Sequence, residues 1–167
     1  MTEYPHRKPN RLKGFDYSTP RAYFVTFCTQ DRRCILSTIV GASMARPPCL
    51  TLTEHGRTID AAIQSIPHHY PLVQVDKYVI MPNHIHVIIR LLAEERIGKR
   101  PDVISIVRAF KSLATRMCNE VHCTPGKKWF QSSFYDEILR NEKAYQECWR
   151  YIDENPLKWL LKPEELG

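Results

Sequence analysis

Residues 78–92 read YVIMPNHIHVIIRLL. Val79, Ile80 and Met81 precede Pro82-Asn83, a dipeptide that favours a tight turn, and the β-branched run Ile85, Val87, Ile88, Ile89 follows it. The pattern predicts two strands, Leu72–Met81 and His84–Leu92, joined as a hairpin. Strand side chains alternate faces, so His84 and His86 point the same way, roughly 7 Å apart along the strand, and Ile85 points the other. Two imidazoles held in this way could share one metal ion. Histidines at i and i+2 also arise by chance on surface strands, so the rest of the chain must decide between the two readings.

Working outward, Ala22–Thr29 (AYFVTFCT) alternates as a strand with bulk on both faces, which predicts a strand covered on both sides. A polar, basic turn follows at Gln30-Asp31-Arg32-Arg33. Gly41–Leu50 holds a glycine and a Pro-Pro pair and reads as a loop with a short strand on either side. Thr51 and Glu54 fit a capping box for a helix from about Leu52 to Ile66, ended by Pro67. Glu94–Pro101 is a charged connector. Asp102 caps a helix over Val103–Val121, whose stripe is Ile106, Val107, Phe110, Leu113, Ala114 and Met117. Thr124–Lys128 is a second basic turn, and Phe130–Leu139 carries a further strand. Asn141 caps a last helix, predicted to stop at about Asn155 because Pro156 follows, with the remainder a short packed tail. The order β-α-β-β-α-β plus a C-terminal helix is the ferredoxin-like split βαβ pattern, an α+β fold with an antiparallel sheet and helices on one face. It divides the chain into a basic N-terminal arm, residues 1–20, and one catalytic-size domain, residues 21–167.

A chain of 167 residues with 43% apolar content can bury a sizeable core. The excess of 24 Lys and Arg over 18 Asp and Glu, net +6, suits a polyanionic partner, nucleic acid before membrane. No apolar run is long enough to cross a bilayer. The polar start MTEYPHRKPN does not read as a secretory leader, and six cysteines without a CxxC pair read as reduced thiols, so a cytoplasmic protein is expected. Cys118, His122 and Cys123 lack the fourth partner and the spacing of a zinc site.

On the last helix Tyr145, Cys148, Trp149 and Ile152 form the inward stripe, and Tyr151 lies at its edge with Asn155 one turn later. A tyrosine at such a margin is commonly a boundary residue with a wet hydroxyl. Facing two strand histidines, however, a Tyr-x-x-x-Asn pair completes a chemical device. Two neutral imidazoles and an amide oxygen would hold a hard divalent ion that polarises a phosphate, and the phenol would be the nucleophile.

PNHIHVII, FKSLATR at residues 110–116, and the later FYDEILRNEK and YIDENPLK together resemble the single-tyrosine HUH transposases, in particular the insertion-sequence-200-like and REP-associated tyrosine transposases. The resemblance spans roughly residues 20–160. It implies a metal-dependent transposase that cleaves and rejoins single-stranded DNA bearing hairpins or imperfect palindromes, through a 5′-phosphotyrosine. It assigns Tyr151 as the catalytic nucleophile and His84, His86 and Asn155 as ligands of Mg²⁺ or Mn²⁺. Lys111, in the Phe-Lys-Ser helix, and Arg116 are then candidates for phosphate contacts, as are Arg32, Arg33, Lys127 and Lys128 in the two basic turns. It also implies either a monomer with both halves of the site in one chain or a homodimer that shares them. The rival reading is a catalytically inactive or domesticated protein that only binds nucleic-acid hairpins. The RGFGFVxF-like strand of sheet-based RNA-binding modules is absent.

Overall fold

The computed structural model describes residues 11–41, 46–93 and 100–161. The regular elements are β1 (Ala22–Cys28), β2 (Ser37–Val40), β3 (Cys49–Leu52), α1 (Glu54–His69), β4 (Val73–Ile80), β5 (His84–Leu91), α2 (Val103–Val121), β6 (Tyr135–Leu139) and α3 (Glu142–Leu161). β1, α1, β4, β5, α2 and β6 make the expected β-α-β-β-α-β unit. Its sheet runs β4-β5-β1-β6, and every neighbouring pair is antiparallel. β2 and β3 form a separate two-stranded hairpin, the pair of short strands expected around the Gly41–Leu50 loop. Residues 42–45 of that loop, 94–99 of the charged connector, 1–10 of the basic arm and 162–167 of the tail lie outside the described residues.

Strand alternation sorts the core into two layers. Tyr23, Val25 and Phe27 of β1 and Ile85, Val87 and Ile89 of β5 face α1 and α2, where they pack with Ile59, Ile63, Ile106 and Phe110. Ala22, Phe24 and Ile88 face the other way and pack with Leu139 and with Ile152 of α3. The sheet is therefore covered on both faces, as the bulk on both sides of β1 predicts. Residues 11–20 carry no helix or strand, and Phe15 and Tyr17 pack against the larger layer.

Two helix boundaries depart from expectation. α1 starts at Glu54 rather than Leu52, because Thr51 and Leu52 are spent in β3, paired with Thr38 and Ser37. The cap is Thr53, whose hydroxyl accepts from Gly56 N at 3.1 Å. Both prolines expected to end helices lie inside them, Pro67 in α1 and Pro156 in α3. Each lacks one N–H, a loss confined to a single ladder position. Contacts beyond each proline hold both helices: Tyr70 packs on the core and its backbone N donates to Ile66 O at 3.0 Å at the end of α1, and Trp159 reaches the ring of His84 from α3. Among the described residues no helix is long and apolar enough to cross a membrane.

Candidate active site

The turn that aims the histidines is itself buried. Met81, Pro82 and Asn83 are enclosed, and the carbonyls of Pro82 and Asn83 are satisfied from outside the turn. Asn83 O accepts from Thr29 N at 2.9 Å, Pro82 O from Leu36 N at 3.0 Å, and His84 O from Met81 N at 2.8 Å. A turn tied to two other segments cannot fray, so β5 leaves it in fixed register with β1: Thr26 opposite His86 and Cys28 opposite His84.

His84 and His86 share the α3 face of the sheet, ring centroids 4.7 Å apart. The Nδ1 of His84 lies 2.7 Å from Asn83 Oδ1, an acceptor, so Nδ1 is the donor of that pair. The Nδ1 of His86 lies 2.7 Å from Thr26 Oγ1, while its Nε2 is buried without a hydrogen-bond partner. Burial, with the neighbouring His84 adding to it, pushes the His86 pKa down to about 3, so the ring is neutral at physiological pH. A buried, neutral imidazole nitrogen with nothing to bond is costly in a folded protein unless something binds it.

α3 supplies what lies above. The Tyr151 ring stands edge-on to His86 at 5.1 Å and to Phe24 at 6.0 Å. Trp159, two turns later, meets His84 at 5.9 Å. Asn155 lies between them on the same i, i+4, i+8 row and is 6% exposed, so the row that touches both histidines carries its amide into the same enclosed space. One chain thus brings His84, His86 and Tyr151 together, with the buried Asn155 one helical turn after Tyr151. The Tyr151 side stays open: the residue is 40% exposed, with Lys158 Nζ 5.0 Å from its ring centroid. Lys158 also pairs with Glu154 at 2.9 Å.

Among the described residues no three His, Cys, Asp or Glu side chains are grouped to hold a metal. The two imidazoles with the Asn155 amide oxygen would make a mixed set suited to a hard or borderline divalent ion. The unpartnered Nε2 of His86 is the atom that fits such a role.

The sequence-derived DNA candidates are scattered. Lys111 Nζ donates to the carbonyls of Gln131 and Ser132 and so ties α2 to the segment entering β6. Arg116 lines a cleft between α1 and α2, across the sheet from Tyr151. Arg32 and Arg33 are exposed in the turn after β1, Arg32 with φ 51°. Lys128 is exposed, and Lys127 Nζ sits 4.2 Å from the Trp129 ring centroid. Thr26, Lys158 and Trp159 escaped the sequence reading. Lys158 and Trp159 had a signal in helical spacing from Tyr151, once Pro156 is allowed inside the helix. Thr26 had none, because its role exists only through strand register.

No family model matches the chain. A solved structure described as the REP-associated tyrosine transposase bound to a REP hairpin superposes with a TM-score of 0.60 and 25% sequence identity, covering 95% of this chain and 74% of that one. The chain is thus similar in fold and sequence to the REP-associated tyrosine transposases. A candidate transposase from Deinococcus radiodurans r1 shares the fold at a TM-score of 0.52 and 15% identity, over 86% of this chain and 95% of that one. An uncharacterized protein of Haemophilus influenzae is 30% identical over 173 residues, 92% of this chain and 90% of its own length. The function of the chain is accordingly transposase-like.

Proposed function

We propose that the protein is a transposase acting on single-stranded DNA with hairpin ends, and that Tyr151 cuts and rejoins the strand. The observation that carries this reading is the buried, unpartnered Nε2 of His86, in a ring whose centroid lies 5.1 Å from that of Tyr151. The structural neighbour bound to a REP hairpin supports the same substrate class for this chain.

Tyr151 Oη attacks phosphorus, the bond to the 3′ oxygen breaks, and that oxygen leaves as a hydroxyl carrying a proton. The 5′ fragment end remains on the tyrosine as a phosphodiester, so attack by a 3′ hydroxyl reverses the step without an outside energy source. Mg²⁺ or Mn²⁺, held by His84 Nε2, His86 Nε2 and the Asn155 amide oxygen, would supply Lewis-acid polarisation of the phosphate. The protein's own groups do the rest. Thr26 and Asn83 fix the two imidazole rings, and Phe24 and Trp159 shield them.

Tyr151→Phe should abolish covalent capture of a labelled hairpin-bearing oligonucleotide, read as a mobility shift that survives denaturation, while binding to the hairpin stays within about twofold. Undiminished cleavage by this variant would sink the nucleophile assignment. Absence of metal-dependent cleavage by the wild-type chain would favour a protein that only binds hairpins.

A further inference from the structure

The cleft beside Tyr151 has a volume of about 580 Å³ and runs away from the histidines between β6 and the early turns of α3. Thr26 and His86 form its floor, Tyr135 and Glu137 of β6 its far wall, and Glu147 and Tyr151 its α3 wall. Its size is that of a ligand cleft. Holding a phosphate accounts for the histidine end. It does not account for the far end.

Two carboxylates, Glu137 and Glu147, line that end in a chain whose net charge is +6. A carboxylate repels a phosphodiester, so the sugar-phosphate backbone has no reason to lie along this wall. Carboxylates are acceptors only and attract N–H groups, which in a nucleic acid belong to the bases. Beside them the aromatic ring of Tyr135 is 48% exposed, at a position opposite Thr26 in the β1–β6 register. Its hydroxyl donates to Glu137 Oε2 at 3.2 Å, which orients that carboxylate and leaves it acceptor capacity. An exposed aromatic beside an oriented carboxylate offers a nucleobase a surface to stack on and a partner for its edge.

We infer that this cleft is a base-reading subsite, which takes the nucleobase next to the cleaved phosphate and selects one that points an exocyclic amino group at Glu137 and Glu147. The inference rests on the reading of Tyr151 as nucleophile and adds to it the identity of a neighbouring base. Cytosine, adenine and guanine each carry an amino group, and carboxylates accept from cytosine N4 in known base readout. Thymine offers a single ring N–H flanked by two carbonyl oxygens, which a carboxylate repels. Thymine is the base this cleft excludes.

The test uses the full chain and hairpin-bearing single strands randomised in both flanks. The strands are sequenced after two separate selections: binding without divalent ion, and covalent capture with Mn²⁺. One flank position should be depleted of thymine about tenfold in both pools, the discrimination expected of one good base contact. Glu137→Gln and Glu147→Gln, both at exposed positions, should erase that depletion and leave every other position unchanged. No thymine-depleted position in the bound pool, or depletion that survives both substitutions, overturns the inference. Capture without base preference sinks the subsite alone. Failed capture with the depletion intact in the bound pool sinks the nucleophile and leaves the subsite standing.

Discussion

At the scale of single residues, His86 is prepared by its neighbours more than by its own chemistry. Its pKa is pushed down to about 3 chiefly by burial, so the ring reaches the site neutral, and Thr26 Oγ1 at 2.7 Å fixes which nitrogen faces the cleft. Thr26→Val keeps the side-chain shape and removes the hydroxyl. The loss of one hydrogen bond should cost about 1 kcal/mol of stability. The effect on the site should be larger, because partners that orient a ligating histidine typically contribute about 10–100-fold in metal affinity or activity. Titration of Mn²⁺ by electron paramagnetic resonance checks this: affinity unchanged in Thr26→Val would mean that the threonine does not orient the ring. Asp136 behaves in the opposite sense to a paired surface acid. Burial pushes its carboxyl above the usual range, although the Tyr17 hydroxyl and the Arg11 guanidinium pull it down. A carboxyl whose folded pKa is raised favours the fold at low pH and opposes it once pH rises through the folded value. Asp136→Asn should therefore raise the melting temperature at pH 7 and lose that advantage as pH falls below about 4, near the ordinary aspartate value. Arg11, with its side chain 39% exposed, can be hydrated when the charge opposite it is removed. A lower melting temperature for Asp136→Asn at pH 7 would show that the ion pair outweighs burial.

At the scale of elements, α1 docks through its first turn. Gly56 is buried there, and a Cβ on it would sit 2.0 Å from the backbone oxygen of Leu36. That carbonyl also accepts from Thr53 N at 3.0 Å and from Thr53 Oγ1 at 3.0 Å, so it cannot swing away without giving up the cap. Gly56→Ala should destabilise the protein by about 2–3 kcal/mol or more, the upper range for overpacking against rigid neighbours, despite alanine's better helix propensity. A denaturant midpoint equal to that of the wild type would mean that α1 shifts freely. The same contact explains what the sequence could show and what it could not. Element types and order were legible, because the β-branched strands and the α2 stripe carry their own periodicity. The start of α1 was not, because Thr51 is claimed by pairing across to Thr38 and the cap passes to Thr53. The length of α3 was not legible either. Proline statistics describe an isolated helix, whereas Trp159 against His84 and the other contacts past Pro156 belong to the tertiary structure. His84, His86, Tyr151 and Asn155 could be named from their spacing and family pattern. Thr26, Lys158 and the carboxylate wall of β6 depend on register and on the far face of the sheet.

At the scale of the whole molecule, the two sides of the sheet are unequal. α1 and α2 bury the larger set of apolar side chains, while α3 rests on a small cluster of Ala22, Phe24, Ile88, Leu139 and Ile152. Polar contacts along one flank supplement it: Tyr145 Oη to Asp76 at 2.9 Å, Lys77 to Asp153 at 2.7 Å, and Lys77 Nζ 4.4 Å from the Trp149 ring centroid. The proposed nucleophile is thus carried by the layer with less apolar surface to hold it, and both histidines by the central strand β5. Such a division predicts that α3 opens without global unfolding. Ile152→Ala removes the one α3 side chain fully enclosed in the small cluster and should cost about 2–4 kcal/mol of docking energy. Amide exchange in α3 should then speed up by about 30-fold or more, from the relation between free energy and equilibrium constant, while amides of β1, β5 and α2 keep their protection. Covalent capture should fall in parallel, because Tyr151 is positioned only while α3 is docked on the sheet. Hairpin affinity measured at several salt concentrations should keep its slope, since Ile152 carries no charge. Acceleration spread evenly over the sheet and all three helices would mean instead that α3 and the split βαβ unit unfold as one, and the separate mobility of Tyr151 would have to be abandoned.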